Sequence, residues 1–189
     1  MDIITVEKRN EQLKAKQLRR KGIVPCCVYG GGLANSISIQ MEQKTADKLL
    51  RVLRLGSKVQ LKLEDQNIIT QIKDKYFANG KVEHIDFQAL DPQTKVNSVT
   101  HILLENSDVV TGVLDKMLME IPYASLPKDM IDTVTVNLEG KAVGTTIAVR
   151  DIPEFLNDNI ELQVESDSII LKISEKKSSI AKDNSLANE

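Results

Sequence analysis

The sequence predicts a mostly β chain with few helices, built as a compact barrel-like β unit followed by a second β-rich unit. Three observations carry this prediction. Apolar residues recur at every second position in short segments such as Val59, Leu61 and Leu63, and again at Ile169, Leu171 and Ile173, the period that gives a strand one buried face. Turn signals separate those segments: Gly30-Gly31-Gly32, Asn79-Gly80, Asp91-Pro92 and Gly140. Within the first half, one stretch has clear helical spacing, Ala46, Leu49, Leu50 and Leu53.

In order along the chain, Ile4 and Val6 predict a first strand. The polar, basic Lys8 to Lys21 follows as a loop or short helical turn, and Ile23 to Tyr29 predicts the next strand. The three glycines with Asn35 turn the chain into a strand with Ile37 and Ile39 on one face. Glu42 to Leu55 predicts a helix with Gly56 as its C-terminal stop. Val59 to Leu63 and Ile68 to Lys75 predict a hairpin turned by Glu64-Asp65-Gln66-Asn67, and Asn79-Gly80 leads into a strand around His84. In the second half, Val134, Val136 and Leu138 predict one strand and Ile160, Leu162 and Val164 another. A short helical or loop segment is expected at Asp151 to Phe155. From Glu175 onward the sequence is polar with no packing pattern, which predicts a disordered tail. The expected division is 1–93, 94–174 and a tail, 175–189.

The near-neutral total of 25 Lys+Arg against 27 Asp+Glu conceals an uneven distribution. Up to Val96 there are 17 basic and 11 acidic residues, and beyond it 8 and 16, so the halves carry +6 and −8. A basic unit suited to a polyanion, joined to an acidic unit that is not, is the implied organisation. The 41% apolar content supports ordinary cores. The longest apolar run, Ile23 to Tyr29, is too short to span a bilayer and contains Pro25, so no membrane association is expected. The start, from Met1 to Glu7, has no charged lead before an apolar stretch, and a cytoplasmic location is expected. Cys26 and Cys27 are adjacent, so in a strand they face opposite sides and form no ordinary bridge; both are expected as small buried hydrophobes. Two histidines and two adjacent cysteines supply no metal set, and no cofactor motif is present; the glycine run lacks the Lys-Ser/Thr of a phosphate loop. His84 and Asp86 have no nucleophile alongside them, so an enzyme is not expected.

Two segments carry the functional signal. Leu18-Arg19-Arg20-Lys21-Gly22 precedes a strand that ends at Tyr29-Gly30, and His84-Ile85-Asp86-Phe87 places His84 and Asp86 on one strand face with Ile85 and Phe87 toward a core. Arg9, Arg19, Arg20 and Lys21 are phosphate contacts or simply solvated charges. Asp86 is the group for choice rather than affinity: beside phosphates a carboxylate must accept from base amino or imino groups or ribose hydroxyls, or hold an Arg. Otherwise it caps a turn or pairs with a Lys such as Lys81. His84 donates to RNA oxygens or is a half-buried histidine, and Tyr29 presents a ring and hydroxyl or packs at a strand end.

These residues, in order and spacing, resemble the family of bacterial large-subunit ribosomal protein number twenty-five in its long form, the general stress protein Ctc type. The likeness rests on Arg9, Leu18, Arg19, Arg20, Gly22, Pro25, Tyr29 and Gly30, then on His84, Asp86 and Phe87. Leu126 to Ile131 and Gly144 to Ile152 bear a looser likeness to the second domain of the long form. The resemblance implies a first domain like the anticodon-binding barrel of glutaminyl-tRNA synthetase. It also implies binding of 5S ribosomal RNA through Arg9, Arg19, Arg20, Tyr29, His84 and Asp86; the acidity of the second unit fits either contact with neighbouring basic ribosomal proteins or simple solubility of the extended molecule. Where relatives carry arginine just before Leu18, this chain has Lys16 and Gln17. The rival expectation is a non-catalytic, stress-related interaction factor whose basic unit is incidental.

Overall fold

A computed structural model describes residues 3–176. Six strands close into a barrel: β1 (Ile3–Lys8), β2 (Ile23–Gly30), β3 (Ile37–Glu42), β4 (Lys58–Leu63), β5 (Gln66–Ala78) and β6 (Lys81–Ala89). Their order around the wall is β1-β3-β2-β6-β5-β4, and parallel pairing of β1 with β4 completes the circle. Alternation decides what fills it. Val24, Cys26 and Val28 of β2 and Ile85 and Phe87 of β6 point inward and are buried, so the residues between them face out. Two helices lie against the barrel. α1 (Ala15–Arg20) is anchored by fully buried Leu18, while α2 (Gln43–Val52) buries Ala46 and Leu49.

The remaining described residues form two further sheets. One has the order β10 (Thr133–Asn137), β7 (Val96–Glu105), β9 (Glu120–Ser125), β12 (Glu161–Leu162). The other has the order β11 (Thr146–Ala148), β13 (Ile169–Ser174), β8 (Val113–Lys116). Ile121, Tyr123 and Val134 of the first share a core with Ile147, Ile170 and Leu171 of the second. The Tyr123 hydroxyl, at its buried end, accepts from Ile131 N at 2.7 Å and donates to Ile131 O at 3.0 Å, which removes the penalty of an unpaired hydroxyl.

A polar seam joins this region to the barrel. His101 Nε2 lies 2.8 Å from Leu55 O, Gln71 Nε2 donates to Asn97 O at 3.0 Å, and Lys58 Nζ donates to Pro127 O at 3.1 Å. Gly56 permits the approach: a Cβ there would meet Val99 O at 2.6 Å, and its φ is +82°.

The mostly β fold with an N-terminal barrel agrees with the sequence expectation, and several element details differ. The predicted helix over Glu42 to Leu55 ends at Val52, because Leu53 turns extended and, with Leu55, packs on the barrel core. Gly56 therefore serves the seam rather than the helix stop. The predicted four-residue turn is tighter, with Glu64 at φ +53°, so Gln66 and Asn67 belong to β5. The strand expected over Ile160 to Val164 is reduced to Glu161–Leu162. Cys26 is buried as expected and Cys27 is only half-buried, because it faces outward. Of the expected tail, Glu175 and Lys176 lie outside any element and 177–189 are outside the described residues. No described helix is long and apolar enough to cross a membrane.

Candidate nucleic-acid interface

The outer face of β3-β2-β6-β5 follows from register. Pro25 and Cys27 of β2 oppose Gln40 and Ser38 of β3; Cys27 and Tyr29 oppose Asp86 and Gln88 of β6; Asp86 and His84 oppose Asp74 and Tyr76 of β5. The result is a polar surface with two carboxylates, Asp74 and Asp86, near its middle. His84 Nε2 and Asp86 Oδ1 are 3.0 Å apart, and their side chains are 28% and 22% exposed. Asp86 thus has a partner, and it is neither an arginine nor Lys81. The carboxylate has further lone pairs for an incoming donor, in competition with the Tyr76 hydroxyl, which also hydrogen-bonds Asp86.

Asp86 also sets the electrostatics of the face. The Tyr29 hydroxyl is pushed up by burial and then by the Asp86 charge, and the Cys27 thiol by the same two causes in the same order. Tyr76 is pushed up first by its hydrogen bond to Asp74 and then by the charge of that carboxylate. Both phenols therefore stay protonated at neutral pH and present O–H groups as well as rings. The Tyr76 ring lies 5.9 Å from the His84 ring, tilted by 50°, and is 48% exposed. Cys26, facing the core, is pushed up to about 12 by burial, so it is an inert packing group.

Cations rim this surface. α1 is short, and Gln17 Oε1 reaches back to accept from Lys14 N at 2.9 Å, which satisfies a donor at its first turn. Leu18 roots the helix, so Arg19 is directed at β6. Its Nε donates to Glu83 O at 3.0 Å, with Nη1 3.9 Å from a Glu83 carboxylate oxygen. Arg19 is thereby held next to His84. Arg20 and Lys21 are exposed. Arg9 follows β1, with its backbone N donating to Ser38 O at 3.0 Å beside the outer row of β3. Its side-chain Nε is buried with no hydrogen-bond partner among the described residues. Tyr29 leads into glycines with φ of +77°, +57° and +78°, and at Gly31 a Cβ would lie 2.6 Å from the Ala89 backbone. Only glycine lets that turn close on β6.

All seven residues singled out from the sequence lie on this barrel: Tyr29, His84 and Asp86 on the face itself, Arg9 and Arg19 against its edges, Arg20 and Lys21 farther out on the helix. Sequence inspection missed Asp74 and Tyr76. A β-bulge between Ile72 and Asp74 makes Lys73 the extra residue, and without it Lys73 and Lys75 would occupy the outward positions. No signal in the sequence marks that bulge. Among the described residues no group of three or more His, Cys, Asp or Glu is placed to hold a metal.

Residues 4–87 match the model of the Ribosomal L25p family. Residues 95–177 match that of the C-terminal domain of ribosomal protein TL5. Similar proteins include the large ribosomal subunit protein bL25 of Paracoccus denitrificans, 32% identical over 73% of this chain and 70% of the relative. That of Cereibacter sphaeroides is 31% identical over 73% and 72%. The bL25 of Caldanaerobacter subterraneus is 24% identical and extends over 92% of this chain and 90% of its own.

Proposed function

The chain belongs to the Ribosomal L25p family, structural constituents of the ribosome that act in translation, and we propose that it joins the large ribosomal subunit by binding 5S ribosomal RNA with the outer face of its barrel. The observation that carries this is the His84–Asp86 pair standing on an exposed polar face rimmed by Arg9, Arg19, Arg20 and Lys21. The two parts have different work. Cations track phosphates, supplying affinity that falls with salt and is indifferent to sequence. The Asp86 carboxylate accepts hydrogen bonds, and the nucleic-acid groups that donate are base amino and imino groups and the 2′-hydroxyl. A phosphate-only ligand is repelled there.

The His84 ring fixes Asp86 in position and leaves its own Nδ1 for a ribose hydroxyl, while Tyr29 offers an O–H donor and Tyr76, its hydroxyl held by Asp74, offers its ring. Arg9, at the edge of the face, offers the outer nitrogens of its guanidinium to a phosphate. On this view residues 1–93 hold the RNA and 94–174 face outward to neighbouring ribosomal proteins. The test is binding of the full chain to 5S ribosomal RNA and to tRNA at several salt concentrations. Selective binding to the 5S RNA is expected, with log affinity falling linearly against log salt. Equal binding to tRNA, or affinity that salt does not move, overturns the proposal.

A further inference from the structure

β10 is the outermost strand of its sheet, and it differs from the other free edges of the C-terminal region. Natural sheets guard an edge by making it short, charging it, or bending it with a bulge or proline. β12 has two residues, β11 has three and a register shift, and β8 carries Asp115 and Lys116. β10 is Thr133-Val134-Thr135-Val136-Asn137, five residues with no charge and no proline.

Its pairing shows which backbone groups stand open. His101 N donates to Asp132 O at 3.1 Å and Leu138 N donates to Glu105 O at 3.1 Å. Between those bonds β10 runs parallel to β7. In a parallel ladder every second residue bonds to a given neighbour, so Val134 and Val136 serve β7. Thr133, Thr135 and Asn137 turn their N–H and C=O groups away from it. Thr135 and Asn137 line a groove of about 380 Å³ whose far wall includes Thr146, Ile147 and Pro153. The charges about it are mainly negative: Asp151 and Glu154 on the far wall, with Lys141 as the cation among the lining residues. Glu105 pairs with Asn137 at the strand's end, and Glu139 follows two residues on.

We propose that the β10 edge is a docking site for a basic, extended segment of a neighbouring protein, which adds to the sheet as a further strand. Backbone pairing supplies the attachment and the acidic surroundings select the cationic partner. This goes beyond RNA binding by the barrel and does not depend on it.

The test uses the full chain with a blocked hexapeptide of alternating Lys and Val, its Glu/Val twin, and amide hydrogen exchange read residue by residue. The Lys peptide is expected to slow exchange at Thr133, Thr135 and Asn137 by about tenfold or more at saturation, while the Glu twin does not. Thr135→Pro removes an outward N–H without touching the β7 ladder and should abolish binding. Glu154→Lys tests the charge argument independently should the proline variant fail to fold, and is expected to weaken Lys-peptide binding by about threefold or more. The proposal is overturned by equal protection from both peptides, by no protection at those amides, or by unchanged affinity in Glu154→Lys. Protection that rises with protein concentration in the absence of peptide overturns it in favour of a second copy as the occupant.

Discussion

Replacing Asp86 with alanine separates choice from affinity, because the two effects have opposite signs. In the free protein the carboxylate holds one partly exposed histidine at 3.0 Å and shares a hydrogen bond with the exposed Tyr76, so its removal should destabilise the fold by only about 1 kcal/mol. On the proposed function the carboxylate accepts from buried donors of the RNA. A hydrogen bond to a charged group contributes about 1.5–3 kcal/mol, and at about 1.4 kcal/mol per decade the loss is roughly tenfold to more than a hundredfold. Repulsion from phosphates is relieved at the same time. One unit charge about 8 Å away in a medium near ε 80 amounts to about 0.5 kcal/mol, and physiological salt reduces it further. Asp86→Ala should therefore bind 5S ribosomal RNA at least about tenfold more weakly while its affinity for tRNA stays level or rises up to about twofold. Fluorescence anisotropy with both labelled RNAs at one salt concentration measures the ratio directly. Undiminished 5S binding refutes the assignment, and so does a parallel loss on both RNAs.

Lys21→Ala, on the exposed end of α1, should weaken both RNAs alike and reduce the salt slope by about 1; a selective loss in the same titration would make Lys21 a reader rather than a phosphate contact. Gly31→Ala puts a Cβ 2.6 Å from the Ala89 backbone at φ +57° and should lower stability in urea unfolding by about 2–4 kcal/mol. Gly32→Ala has φ +78° with nothing within 4 Å and should lose only about 1–2 kcal/mol; equal losses would dismiss the packing argument. Asp132, at the seam, is pushed above its ordinary value of 3.8 by burial, opposed by the Lys58 charge. The folded state therefore binds its proton more tightly than the unfolded state, so ionisation erodes stability as pH rises above that value. Asp132→Asn should gain stability relative to the parent between pH 3.5 and 7, and a difference that does not change with pH would count against the burial assignment.

The barrel was legible because its strands bury apolar residues at period two, and a core of Val24, Cys26, Val28, Ile85 and Phe87 leaves that signature. The same parity placed His84 and Asp86 together on the outer face. It failed on β5, where one unpaired residue, Lys73, reverses which side chains face out. Asp74 and Tyr76 then stand on the candidate interface although simple alternation assigns Lys73 and Lys75 there. A bulge is fixed by the partner strand, so the segment containing it does not reveal it.

β7 is the larger omission, and its cause is the way the two halves meet. Ser98 and Thr100 alternate along it with full or nearly full burial, and His101 is 6% exposed; none of these is apolar enough to signal a buried face. Their burial is possible because each finds a partner, from the barrel side for His101 and Ser98 and from the C-terminal region itself for Thr100. Leu55 O meets His101, Ser98 Oγ is 3.4 Å from Gly56 O, and Thr100 Oγ1 donates to Ile131 O at 2.8 Å. Polar burial of this kind costs least where a group finds a partner, as these three do, while Gln71 Oε1 and Asp132 Oδ1 are buried without one among the described residues. The side chains at the seam thus constrain the approach of the C-terminal sheets by direction, where an apolar contact would allow sliding. The proposed division of roles, RNA held by one half and the other presented to neighbouring proteins, needs a fixed angle between them. The feature that hid β7 from hydropathy is also the feature that holds that angle.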